Sequence, residues 1–136
     1  MVSQINLTLP AKSKGFHLIT NEVLKALENL PTSGLLHIHI LHTSAGLALN
    51  ENADQTVRTD MDKAFDKLAP ENQPFYLHTV EGPDDMPAHI KSVLTGSSVT
   101  IPLTNGKLNL GTWQGIYLCE FRESATPRKL VMTILS

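Results

Sequence analysis

The chain has 136 residues, 41% of them hydrophobic, with Lys+Arg 11 against Asp+Glu 13 and a formal net charge of -2. That length suits one domain with a core of ordinary size, and the near balance of charge excludes the broad basic footprint of a nucleic-acid binder. A single cysteine, Cys119, rules out an internal disulfide, no apolar run is long enough to cross a membrane, and the opening MVSQINLTLP lacks the features of a secretory leader, so a cytoplasmic location is expected.

No repeat or low-complexity tract interrupts residues 1–136, which read as one continuous domain. Ile5, Leu7 and Leu9 alternate with polar neighbours and predict a half-buried strand over 3–9, closed by Pro10. Val23, Leu24, Leu27 and Leu30 share a face and predict a helix over 20–30, with Thr20 as cap and Pro31 at the end. A strand follows over 35–43. The stripe Val57, Met61, Phe65 and Leu68 predicts a second helix over 53–68, stopped by Pro70. Residues 75–80 read as a strand. A short third helix fits 86–95, with Asp85 as cap, Pro87 in the first turn and Gly96 past the end. The C-terminal block then reads as strands over 98–103, 107–110, 115–122 and 130–135, the first two joined at Asn105-Gly106. Helices among early strands followed by a strand-rich block predict an α+β domain, not a parallel doubly wound one, and no G-x-G-x-x-G or Walker loop is present.

The segment LLHIHILHTSAGLALNENAD carries His37, His39 and His42. Strand alternation puts His37, His39 and Leu41 on one face and Leu36, Ile38, Ile40 and His42 on the other. Partial exposure accounts for the first two histidines. A ring at His42, at the end of an apolar face, needs a hydrogen bond or a metal to offset a desolvation cost of about 1–3 kcal/mol. Thr43, Ser44, Ala45 and Gly46 follow at once, and small residues at a strand end permit close approach of a ligand.

A second cluster lies in LHTVEGPDDMPAHIKS, where His78, Glu81, Asp84, Asp85 and His89 gather around the predicted helix start. One of the two aspartates is expected to be an ordinary N-cap. Asp85 and His89, four apart, meet near the helix N-terminus, where Lys91 and Ser92 could help hold a phosphate. Histidines and carboxylates from separate strand ends and one helix start are compatible with a divalent site, zinc or magnesium, that leaves room for water or substrate. A third segment, LNLGTWQGIYLCEF, sets Thr112, Trp113 and Gln114 between two glycines. Such a turn suits a flat heterocycle, or serves as a structural bulge. Cys119, between Leu118 and Phe121, reads as a small core hydrophobe.

Taken together, HTSAGLALNENAD at 42–54, EGPDDMPAHIKS at 81–92 and GSSVTIPLTNGKLNLGTWQGIYLCEF at 96–121 resemble the YjbQ family, whose members are described as secondary thiamine-phosphate synthases. LTLPAKSKGFHLIT near the start is similar too, so the resemblance covers nearly the whole chain. It implies an α+β fold of mixed or antiparallel sheets in a barrel-like sandwich with about three helices. It also implies a homotrimer and a cleft near a subunit boundary that holds a metal or an anion in some members. The family's polar positions correspond to His42, Thr43, Ser44, Asn50, Glu51, Asn52, Asp54, His78, Glu81, Asp85, His89 and Gly111 to Gly115. Pro87 stands where some members have a further histidine, and Ala53 where some have cysteine, which excludes those two groups from any chemistry here.

The expected activity is transfer of a pyrimidine-methyl group from its diphosphate to a thiazole phosphate. In that reading His42, Asp85, His89, Glu51 and Asn52 are catalytic. Thr43, Ser44, Asn50, Lys91, Thr112, Trp113 and Gln114 contact the phosphorylated substrate, with Arg58 as a further cation for phosphate, and His42, His78 and His89 are metal ligands. The alternatives are a trimeric metal- or small-molecule-binding protein with incidental synthase activity, and a metal-dependent hydrolase.

Overall fold

The computed structural model describes residues 1–136. In chain order it contains β1 (Val2–Leu9), β2 (Gly15–Leu18), α1 (Thr20–Ala26), β3 (Ser33–Ile40), β4 (Ala45–Glu51), α2 (Gln55–Leu68), α3 (Asp85–Thr95), β5 (Ser98–Thr104), β6 (Lys107–Leu108), β7 (Gln114–Glu120) and β8 (Arg128–Leu135). Every strand pair is antiparallel. Five strands form one sheet in the order β1-β8-β3-β5-β6, and three form another in the order β2-β7-β4. One sheet curls into a half-barrel, so the α+β expectation holds, with three helices.

Strand periodicity explains how the layers stack. On β3, β5 and β8 the residues Leu36, Ile38, Ile40, Ile101, Leu103, Leu130, Met132 and Ile134 are buried and pack on Leu47, Ile116 and Leu118 of the smaller sheet. His37 and His39 alternate with them on the outer face, where His37 Nδ1 meets Thr100 Oγ1 at 3.0 Å. The opposite face of the smaller sheet carries Phe16, Tyr117, Cys119 and, just past β7, Phe121, covered by Met61 and Phe65 of α2 and Ala88 of α3. β7 is therefore buried on both faces, and its near-continuous apolar run follows from that.

The structure differs from the sequence reading in five places. Residues 75–80 form no strand: Tyr76 N–H closes a turn on Gln73 C=O, and Leu77 and Val80 are each 95% exposed. Neither sheet takes up this segment. Strands β2 and β4 occupy stretches to which the sequence reading assigned no element. Helix α1 stops at Ala26, because Leu27 is extended and Asn29 turns left-handed at φ 50. Thr20 does not cap that helix; its Oγ1 accepts from Ile116 N–H at 2.9 Å and ties α1 to β7. Asp85 is inside α3, not its cap. The Asn105-Gly106 turn is as expected, both residues having positive φ, 53 and 75, as a two-residue hairpin requires.

Candidate metal centre

Three of the predicted site residues converge. Asp85 Oδ2 lies 2.7 Å from His78 Nε2 and 3.1 Å from His89 Nε2, and the three ligand atoms all fall within 4.8 Å of one another. His89 sits one turn beyond Asp85 on α3, so helix geometry alone stacks the pair. His78 comes from the irregular 75–80 segment, and its ring centroid is 5.3 Å from that of His89. On its other side His89 meets the chain that leaves β3: its Nδ1 is 2.8 Å from the carbonyl oxygen of Thr43. A carbonyl can only accept, so Nδ1 carries the proton and Nε2 is left facing Asp85.

Asp85 is 1% exposed and is held from behind. Arg122 donates through Nη1 to Asp85 Oδ1 at 2.6 Å, through Nε to Asp84 Oδ2 at 2.9 Å and through Nη2 to the Glu81 carbonyl at 3.0 Å. Neither aspartate caps α3: Asp84 stands at the N-cap position, yet its carboxylate takes Arg122 and the Glu123 N–H instead. Burial pushes the Asp85 carboxyl upward, but the His78 hydrogen bond and the charges of His89 and Arg122 outweigh it and hold the group below the usual carboxylate range. Sequence reasoning missed Arg122. The available signal was a guanidinium directly after the apolar run of β7, a position where a charge needs a partner.

His42 stays outside the three-ligand cluster. Its Nε2 accepts the Lys129 N–H at 2.8 Å, which requires the neutral ring with the proton on Nδ1. Burial, reinforced by the charge of Arg128, lowers its affinity for a proton. It does share a cleft of about 500 Å³ with His89, Thr43, Ser92 and Ser97. Ser44 is engaged beneath this cleft, where its Oγ accepts from Arg128 Nη2 at 3.0 Å while Arg128 pairs with the fully buried Glu120. Lys91 is not free for a phosphate. It is 3% exposed, with its Nζ 2.6 Å from Asp66 and lying over the Phe121 ring.

The remaining predicted residues gather at the other end of β4, about 20 Å along the strand. Asn52 Nδ2 donates to the carbonyls of Thr112 and Gln114, and Asn52 N–H to that of Trp113, so this asparagine fixes the turn before β7. Gln114 Oε1 accepts Gly111 N–H at 2.8 Å, and Trp113 is 65% exposed. Glu51 accepts the N–H groups of Ala53 and Asp54, Asn50 accepts that of Glu51, and Asp54 caps α2 through Thr56 N–H. Within one chain the Trp113 turn and the histidines thus lie at opposite ends of β4.

Comparison with known proteins decides the family. The model for UPF0047 protein YjbQ-like matches residues 4–136. The chain belongs to the YjbQ family. Relatives in this family include UPF0047 protein YjbQ of Salmonella typhimurium, 52% identical, and that of Escherichia coli O157:H7, 49% identical, each over 96% of both chains. A conserved hypothetical protein of Thermus thermophilus superposes with a TM-score of 0.83 at 35% identity, covering 97% of this chain and 99% of the other. A YjbQ/UPF0047 protein of Clostridium acetobutylicum gives 0.82 at 39% identity, covering 96% and 99%. In this YjbQ chain the stretch at 42–54 runs from the histidine end of β4 to the cap of α2 and so links the two clusters.

Proposed function

We propose that the chain is a metal-dependent enzyme acting on a phosphorylated small molecule, with His78, Asp85 and His89 holding a divalent ion. The observation that carries this reading is the convergence of two imidazole nitrogens on one buried carboxylate oxygen, all within 4.8 Å. Two nitrogens and one oxygen suit a zinc-type ion better than magnesium, which prefers an all-oxygen shell. The Thr43 carbonyl behind His89 and the Arg122 fork behind Asp85 are the outer partners that fix ligand orientation in metal sites. Such an ion, when bound, supplies positive charge against a leaving diphosphate.

The reaction we assign is the joining of a hydroxymethylpyrimidine diphosphate to a thiazole phosphate. The thiazole nitrogen bonds to the pyrimidine methylene carbon as the carbon–oxygen bond to the diphosphate breaks, and pyrophosphate leaves. His42, Thr43, Ser92 and Ser97 offer polar contacts along the cleft beside His89. An exposed indole at Trp113 offers a platform for a flat ring, but on the far side of β4. A homotrimer in which the Trp113 turn of one copy faces the histidines of the next would join both halves. Exposed apolar side chains at Phe75, Leu77, Val80, Val93 and Trp113 support association between copies.

The test is metal analysis, light scattering and product assay on the purified full chain. We expect one divalent ion per chain, a trimeric mass and metal-dependent formation of thiamine phosphate, with ion and product both lost in His89→Ala and Asp85→Asn. A chain that retains the ion and forms no product would replace this reading with a metal-binding protein. A chain that binds no divalent metal would remove it altogether.

A further inference from the structure

On the side of the molecule where β2 faces α2 lies an open cleft of about 510 Å³, sharing no lining residue with the cleft beside His89. Its polar wall includes Lys12, Lys14, His17, Arg58, Thr59 and Asp62, with Phe16 and Leu18 as its apolar part. The hydrogen-bond inventory of this wall is one-sided. Asp62, the one carboxylate lining it, already accepts from Lys14 Nζ at 2.9 Å, and Asp66 beside the cleft accepts from the same ammonium at 3.1 Å, so Lys14 is engaged and the free donors are those of Arg58 and Lys12. Arg58, which has five N–H donors and no carboxylate partner, makes one long contact of 3.4 Å to Tyr117 Oη. Lys12 meets one carboxylate, Glu22, at 3.3 Å, leaving two ammonium donors unengaged. His17 donates Nε2–H to the Ser13 carbonyl at 2.6 Å, which leaves its Nδ1.

Lysine side chains are ordinarily among the most exposed, yet Lys12 and Lys14 are only 20% and 18% exposed, drawn in along this wall. A wall rich in donors and poor in acceptors is complementary to a ligand rich in acceptors and negative charge. The volume lies within the range of about 300–1,000 Å³ typical of small-molecule sites and exceeds what a bare phosphate fills.

We propose that the β2–α2 cleft is a second binding site, for a phosphorylated small metabolite whose phosphate is held by Arg58 and Lys12 and whose body rests on Phe16 and Leu18. The site needs no metal and is independent of the histidine centre.

Inorganic pyrophosphate titrated into the full chain, with metal removed by chelation, tests this by calorimetry and by amide chemical shifts. The expected result is saturable one-site binding with shifts at Gly15, His17 and Thr59. Arg58→Met should weaken it by about tenfold or more, the loss of a charge-assisted hydrogen bond, and His89→Ala should leave it unchanged. Absence of saturable shifts at those three amides in the unmodified chain overturns the proposal. So does undiminished binding in Arg58→Met, or loss of binding in His89→Ala, which would assign the anion to the histidine cleft.

Discussion

His89 Nδ1–H donates to the carbonyl oxygen of Thr43 at 2.8 Å, and this bond presents Nε2 to Asp85. Arg122 does for the carboxylate what Thr43 does for the ring, by occupying Oδ1 and leaving Oδ2 for the histidines. Arg122→Met is expected to weaken binding of the proposed divalent ion, probed with zinc, by about 10–100-fold while the chain stays folded, as loss of an outer partner does in metal sites. Arg122→Lys keeps the charge without the fork and should recover only part of the affinity. Competition with a chromophoric chelator measures both, and unchanged affinity in the methionine variant would remove the positioning role.

The bond from Lys129 N–H to His42 Nε2 fixes a tautomer and a direction of pH dependence. A histidine whose folded proton affinity lies below its unfolded value contributes stability that is complete above about pH 6.5 and is lost as pH falls through the lowered folded value. Nitrogen-15 spectra of the imidazoles should show His42 protonated on Nδ1 at neutral pH and titrating below an ordinary histidine. A ring that gains its second proton above about pH 6.5 would contradict the geometry.

Gly46 marks where α3 meets β4. A Cβ there would sit 1.9 Å from Thr95 Oγ1 and 2.9 Å from the Gly96 carbonyl, which accepts Leu47 N–H at 3.1 Å. Gly46→Ala is expected to cost about 1–3 kcal/mol, as overpacking does in tight interiors. Urea denaturation checks it, and adding Thr95→Ser should not rescue the variant, because the hydroxyl and the backbone carbonyl remain.

Cys119 is fully buried, and that burial pushes its thiol up to about 12. Reaction with a thiol reagent at about pH 8 should be undetectable in the folded chain and complete in denaturant. Rapid labelling of the native protein would show that β7 is more open than its packing against Phe16 and Phe121 indicates.

Much of this architecture was legible because it rests on local patterns. The alternation of Leu36, Ile38 and Ile40 predicted β3 and the outward placement of His37 and His39, and Asn105-Gly106 predicted a hairpin. Strand β4 was hidden because Ala45, Gly46 and Ala48 are small residues sandwiched between layers, so they carry no amphipathic signal. Residues 75–80 misled for the opposite reason: Phe75, Leu77 and Val80 are strand-favouring apolar residues, yet all three face outward. At the site, the i, i+4 pairing of Asp85 with His89 followed from helix geometry, and His78 was among the predicted ligands. The engagement of His42 by Lys129, of Lys91 by Asp66 and of Asp85 by Arg122 joins residues 25 to 87 positions apart, which no local pattern encodes.

In the larger sheet β8 pairs with β1 along the whole of that strand and with β3 on its other edge. An interior strand of the sheet, holding β1 to β3, is therefore the last of the eight to be synthesised. Until it emerges from the ribosome, β1 and β3 have no neighbour between them, and Leu36, Ile38 and Ile40 lack the company of Leu130, Met132 and Ile134. That uncovered surface persists from the making of β3 until β8 is complete, so closure of the larger sheet is a late, non-local step of folding.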